Sequence, residues 1–178
     1  MIWLTVCSIL VMVVLDQLSK WAAVVYLQPL GSVPFIPGVL RLTYAHNTGA
    51  AFSMLAGEQT LLIGITVAAM LVMLGILLRG KASNAFEHWG LAMIVGGGIG
   101  NLIDRVLNGY VVDYFDVVFM KFAIFNVADC FVVVGCICLF VGVLFSEFFA
   151  ARRAKKAAKA AGVSAAPVTE TKETPDAE

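Results

Sequence analysis

Apolar residues along this chain gather into four long runs, about Ile2 to Leu27, Thr60 to Leu78, His88 to Leu107 and Phe125 to Phe149. Each is near the roughly 20 residues needed to cross the hydrocarbon core of a bilayer. Only the second is free of charge. No water reaches that depth, so every backbone N–H and C=O must be paired within the protein, and the runs are predicted as helices and not strands. The pattern predicts an all-α membrane protein, a four-helix transmembrane bundle occupying residues 1–150.

The connections carry a second pattern. The first, Gln28 to Gln59, holds Pro29, Gly31, Pro34, Pro37 and Gly38, then the alternating run Val39-Leu40-Arg41-Leu42-Thr43-Tyr44. That run predicts a short strand or hairpin arm, and with it a small extracytoplasmic sheet. The third connection, Asn108 to Ile124, contains GYVVDYFDVVF from Gly109 to Phe119. Its aromatic and β-branched composition is that of backbone lying at the membrane surface with its rings at headgroup depth. Beyond Ala150 the chain is Ala, Lys and Arg to Gly162 and then a polar, low-hydrophobicity stretch. Residues 151–178 therefore read as a basic tail, first a helix extension and then disorder.

Basic residues orient the bundle. Arg79 and Lys81 fall in the second connection and Arg152, Arg153, Lys155, Lys156 and Lys159 come after the last span, whereas the first and third connections have Arg41 and Lys121. By the excess of Lys and Arg on the inner side, the second connection and both termini are cytoplasmic, and the first and third connections face outward.

Composition agrees with the membrane class. Hydrophobic residues make up 61% and charged residues 13%, with mean hydropathy +0.93, well above the roughly half-apolar usage of soluble domains. Twelve basic and twelve acidic residues cancel, so no nucleic-acid partner is indicated. Cys7, Cys130, Cys136 and Cys138 all lie in apolar runs and read as small hydrophobes, without metal or disulfide chemistry. The first run has no basic residue before it and no small-residue cleavage site after it, so it is expected to stay as a span. Leu4-Thr5-Val6-Cys7 looks like the motif before a lipidated cysteine, but too little apolar sequence precedes it.

Charge inside a span costs about 2.5–3.5 kcal/mol on insertion scales, so each such residue requires a partner or a task. Asp16 and Lys20 lie four apart on one face of the first helix, spaced for an ion pair or for a site contact. The third span ends in GGGIGNLIDR, Gly96 to Arg105. No strand precedes those glycines and no Lys-Ser/Thr comes after them, so close helix packing by Gly96 and Gly100 is the better reading than a phosphate cradle. Asn101, Asp104 and Arg105 share a face near the outer end of that span. Asp104 can pair with a base, or Asn101 and Arg105 can point into a cavity. Asn126 and Asp129 share a face at the outer start of the fourth span, and Asp113 should lie at the same depth. Two carboxylates held together cannot both ionise, so one keeps a proton near neutral pH and the pair can supply an acid and a base. Proton relays and transport sites use membrane carboxylates as well.

Taken in order, Asp16-Gln17-xx-Lys20, NTGAAFS (Asn47 to Ser53), GGGIGNLIDR, GYVVDYFD (Gly109 to Asp116) and FNVADC (Phe125 to Cys130) resemble lipoprotein signal peptidase, the signal peptidase II family. The blocks extend from Asp16 to the fourth helix. The resemblance implies an inner-membrane aspartic endopeptidase that cuts diacylglyceryl-modified bacterial prolipoproteins before the lipidated cysteine, with no metal or cofactor and with substrate and membrane lipid as its partners; the chain is expected to be a monomer. It puts the catalytic pair on Asp113 and Asp129, substrate or dyad contacts on Asn47, Asn101, Arg105 and Asn126, and supporting roles on Asp16, Lys20 and Asp104. It also implies a small extracytoplasmic β-cradle and a surface helix in the first connection. Met120-Lys121 departs from the family, many of whose members have a tryptophan there.

Three rivals are weighed by the residues. A proton-coupled transporter needs polar groups at mid-depth, yet these gather outward, the second span has none, and no inverted repeat is visible. A serine-lysine peptidase built on Lys20 with Ser8, Ser19 or Ser53 lacks a recognisable nucleophile block. A structural protein would not retain so many intramembrane charges.

Overall fold

The computed structural model describes residues 2–49 and 58–160. Helix α1 (Ile2–Ala22) runs into one wider π-type turn, Ala23–Leu27. Strands β1 (Ser32–Ile36) and β2 (Leu40–Asn47) come next, then helices α2 (Gln59–Leu78) and α3 (Ala85–Asn108), strand β3 (Val111–Val117) and helix α4 (Val127–Ala160). The four helices are long and apolar enough to cross a membrane, and the chain is a multi-pass membrane protein. Large apolar side chains such as Trp3, Leu10, Trp21, Leu71 and Phe140 are exposed on their outer faces, as expected where lipid is the solvent.

Helix α3 is the centre of the bundle: 56% of its apolar window is buried, against 17%, 11% and 17% for α1, α2 and α4. Its ends are set locally. Asn84 accepts from the Glu87 backbone N–H at 3.0 Å while the Glu87 carboxylate accepts from Ser83 N–H at 2.8 Å, a capping-box arrangement that starts the helix three residues before the apolar run at His88. Gly109, at φ 77°, ends it in the left-handed conformation that glycine adopts without penalty.

Glycines let the other helices approach it. A Cβ on Gly96 would meet Met12, and one on Gly100 would collide with the Asp16 carboxylate, so this pair seats α1. On the adjoining face a Cβ on Gly97 would run into the Ala128 carbonyl oxygen of α4. That is backbone and cannot swing aside. Gly97→Ala is expected to destabilise the bundle by about 1–3 kcal/mol through overpacking, read as a lower midpoint of thermal unfolding in detergent. An unchanged midpoint would show that α3 and α4 are not in such contact.

The strands form an antiparallel sheet in the order β1-β2-β3. Leu40 is opposite Val117 and Asn47 opposite Val111, with an irregularity between Leu42 and Ala45. The small sheet expected from the first connection is present, and its third strand comes from the third connection, the segment expected to lie at the membrane surface. Val111, Val112, Asp113 and Tyr114 are buried within the protein. Tyr114 packs with Ala23, Leu27 and Val112 and donates its hydroxyl to Ser19 at 2.7 Å. No helix occurs between residues 28 and 49 apart from the end of α1's turn, and residues 50–57, the rest of the connection expected to hold a surface helix, are outside the described residues.

The chain divides into two compact units, Met1–Val143 and Leu144–Glu178. In the second, α4 continues as the expected extension to Ala160, with Arg152 over the Phe148 ring at 4.5 Å. The stretch expected to be disordered, 161–178, lies outside the described residues. The four cysteines are free, and Cys7, Cys130 and Cys136 are exposed.

Candidate active site

At the end of the bundle that carries the sheet, α1 and α3 put their charged residues against each other. Lys20 Nζ is 2.9 Å from Asp16 Oδ2, 3.1 Å from Asp104 Oδ2 and 2.8 Å from Asn101 Oδ1, so an oxygen faces each of its three N–H donors. All four side chains are buried. Asp16 Oδ1 accepts from the Ala128 backbone N–H at 2.9 Å, tying α1 to the first turn of α4, where helix N–H groups and dipole favour a carboxylate. Asp104 Oδ2 accepts from Val112 N–H at 3.0 Å, which docks β3 on the bundle. The ion pair and the site contact suggested by Asp16 and Lys20 therefore coexist.

That docking positions Asp113, the next residue along β3 and 2% exposed. Its Oδ2 accepts from Asn47 Nδ2 at 2.9 Å and its Oδ1 from Asn126 Nδ2 at 2.6 Å. Asp129 is held from two sides. Asn126 caps α4 by accepting from Asp129 N–H at 3.0 Å, while Asp129 Oδ2 accepts from Asn126 N–H at 3.1 Å. This reciprocal cap fixes the Asp129 carboxylate at the helix start. Its Oδ1 accepts from Asn101 Nδ2 at 2.8 Å.

Asn101 is oriented by charge: Lys20 and Asn126 both donate to its Oδ1, which turns the amide nitrogen toward Asp129. Arg105, one helical turn on, donates through Nη2 to Gly49 O at 3.1 Å, and its buried Nε has no hydrogen-bond partner among the described residues. Asn47, Asn101, Arg105, Asp113 and Asp129 all line one cavity of about 570 Å³ whose remaining wall is apolar, from Phe122 to Phe125 and along α4 to Val134.

The charge of Asp129 acts on Asp113. Burial first, and then the negative charge of Asp129, push the Asp113 carboxyl up from 3.8 to about 7, against the lowering effect of the Asn47 and Asn126 hydrogen bonds. A carboxyl raised this far keeps its proton toward neutral pH, which suits an acid–base exchange.

The profile of the family described as Signal peptidase (SPase) II matches residues 8–145. Lipoprotein signal peptidase of Caldanaerobacter subterraneus subsp. tengcongensis is 49% identical over 127 residues, 71% of this chain and 86% of that protein. The Enterococcus faecalis protein of the same name is 43% identical over 133 residues, 75% and 83% of the two chains. The chain belongs to the signal peptidase II family. Two solved structures described as bacterial membrane enzymes align with TM-scores of 0.77 and 0.73, each at 30% identity, covering 83% and 81% of this chain and 91% and 94% of theirs. Membership in the signal peptidase II family makes the chain a protease of the membrane.

Within this signal peptidase II chain the nine residues singled out from sequence form one connected network. Asp116 is outside it. Its carboxylate accepts from Arg41 at 2.9 and 2.6 Å and from Thr43 at 2.9 Å. The cause is register, since Arg41 is the cross-strand partner of Asp116, and the pairing draws its pKa below the usual carboxylate value. Two contributors were not singled out from sequence. Gln17 Nε2 is 3.1 to 3.2 Å from Asp16, Asp104 and the Gly100 carbonyl, and Gly49 offers its carbonyl to Arg105. Gln17 stood beside Asp16 in the first motif and was legible there. Gly49 contributes only backbone, which leaves no signal in side-chain type. Among the described residues no group of three or more His, Cys, Asp or Glu side chains is arranged to hold a metal ion.

Proposed function

We propose that this chain removes signal peptides from diacylglyceryl-modified bacterial prolipoproteins, cutting before the lipidated cysteine with Asp113 and Asp129 as an aspartate dyad. The observation that carries the reading is the pair itself: two carboxylates, bridged by Asn126 and lining one largely apolar cavity, one of them raised to about 7 by burial and by the other.

In this reading the ionised aspartate takes a proton from a water held between the pair, and the water oxygen bonds to the scissile carbonyl carbon. The protonated aspartic acid gives its hydrogen to the developing oxyanion. Collapse breaks the C–N bond, and the leaving amine of the cysteine takes the proton. No acyl-enzyme forms. Arg105, with an unused buried N–H, and Asn47 supply donors to the peptide backbone in a cavity screened from water, where such contacts strengthen. Lys20, Asp16, Asp104, Asn101 and Asn126 hold the pair in place. A lysine base in a Ser–Lys pair is disfavoured: each N–H of Lys20 faces an Asp or Asn oxygen, and the Ser19 hydroxyl is 2.7 Å from the Asp16 carbonyl and receives Tyr114. Ser53 is outside the described residues.

Residues 1–150 carry the activity in a bacterial inner membrane, the sheet end facing outward and both termini, with the 151–178 tail, facing the cytoplasm. Every group required comes from one chain, which supports action as a monomer. The test is incubation of the purified protein with a diacylglyceryl-modified prolipoprotein and with its unmodified form. Mass analysis should give a cut immediately before the cysteine in the modified form alone. A cut elsewhere, or equal cutting of both, would contradict the reading.

The raised Asp113 value sets a pH dependence with a definite sign. The site must keep one proton, and that proton is lost as pH rises through about 7. Above this value kcat/KM should fall about tenfold per pH unit. Activity that continues to rise from pH 7 to 9 would instead indicate a base that must be freed of its proton.

A further inference from the structure

Asp113 and Asn47 belong to two cavities, not one. Besides the apolar cavity above, they line a second of about 540 Å³, bounded by Ala45 and His46 of β2, Val117 of β3 and the segment from Met120 to Ile124. Residues 122–124 stand between the two. The first cavity is walled by α4, whose Val133 and Val134 are exposed on a membrane-spanning face. The second is walled by the sheet and contains no residue of the four helices.

Beyond Asp113, which belongs to the proposed dyad, the charged residues lining the second cavity are Asp116 and Lys121. Asp116 is paired with Arg41, and His46 is held by Tyr44 at 2.9 Å and stacked on Tyr110. Lys121 is exposed, and among the described residues it has no ion-pair partner. An extended peptide whose scissile carbonyl lies at Asp113 must leave in two directions. Its apolar signal segment fits the cavity that opens along α4. Beyond the modified cysteine the substrate continues as the polar start of the mature protein, which must leave toward water.

Building on the proposed function, we infer that the sheet-side cavity binds the second and third residues after the lipidated cysteine, and that Lys121 makes this subsite favour acidic side chains over basic ones. The discrimination comes from one solvent-reached charge, so it is modest, about fivefold or more between Asp and Lys, and shrinks as salt is added.

The experiment uses the full-length protein in detergent and three diacylglyceryl-modified substrates identical except for Asp-Asp, Ser-Ser or Lys-Lys at those two positions. The wild-type protein should give kcat/KM in the order Asp, Ser, Lys, carried mainly by KM. Lys121→Glu should reverse the order, and Lys121→Met should collapse it. Equal rates on all three substrates with wild-type protein would overturn the inference while leaving the peptidase reading intact. So would a Lys121→Glu protein that keeps the original order. A Lys121→Glu effect equal on all three substrates, and present only with anionic lipid added, would overturn it in favour of a headgroup contact. No cleavage of any substrate by wild-type protein would overturn the peptidase reading beneath it as well.

Discussion

Replacing either Asp113 or Asp129 with asparagine is expected to lower prolipoprotein cleavage by about a thousandfold or more, because the amide keeps the shape but can neither take nor give the proton that the step requires. The two variants should fail differently as proteins. Asn at 113 removes a carboxyl whose ionisation burial opposes, so the fold should tolerate it. Asn at 129 has one acceptor oxygen for two donors, so its amide nitrogen is set against either the Asn126 N–H or the Asn101 amide, and some stability is lost. Asp116→Asn is the control. It weakens the pairing with Arg41 on the outer sheet and should keep activity within about tenfold of wild type, the scale of an exposed ion pair. A fully active Asp113→Asn protein, or a folded Asp116→Asn protein without activity, would move the second carboxylate elsewhere. Cleavage rate, together with the thermal midpoint of each variant, decides.

Lys20→Met should be the most damaging change to the fold. It leaves Asp16 and Asp104, each almost wholly buried, without the cation between them, and removing one partner of a buried ion cluster costs about 3–5 kcal/mol. That is a large share of the total stability of a typical protein. It also releases Asn101, whose orientation toward Asp129 depends on Lys20. The expected outcome is a low yield of folded protein in detergent and a sharply lower thermal midpoint. The double change Lys20→Met with Asp104→Asn should recover part of the loss by removing one stranded charge. If the double variant is no better than the single one, the damage comes from packing and not from uncompensated charge.

The helices were legible because lipid imposes one constraint everywhere, and apolar length reports it directly. The polar side chains were legible for the complementary reason: in such a setting Asp16, Lys20, Asp104 and Asp129 each call for an explanation. The sheet was half legible. Residues 39–44 alternate and were read as a strand, but GYVVDYFDVVF shows no such alternation, since Val111 to Tyr114 are buried in succession. Its partner β2 is 64 to 77 residues earlier in the chain, from Asn47↔Val111 to Leu40↔Val117, and a pairing across that distance leaves no local signature. The pairing of Asp116 with Arg41 is set by this register and has no local signature either.

Asn126 shows a different limit. Its place three residues before Asp129 marked a shared face, but its double service, capping α4 with one side-chain atom and bridging to Asp113 with the other, depends on β3 arriving beside the helix start. The capping half could be read from spacing, as for Asn84 and Glu87. The bridging half is tertiary.

The proposed mechanism requires Asp113 and Asp129 to share one reacting centre. The most direct measurement is a crystal structure of the protein with a lipopeptide whose scissile amide is replaced by a hydroxyl-bearing tetrahedral carbon, which imitates the water addition product. A shared centre predicts the hydroxyl oxygen within hydrogen-bond distance, under about 3.2 Å, of both carboxylates, with the apolar signal segment along α4. A lipopeptide bound with its hydroxyl in reach of only one of them, or of neither, would contradict it.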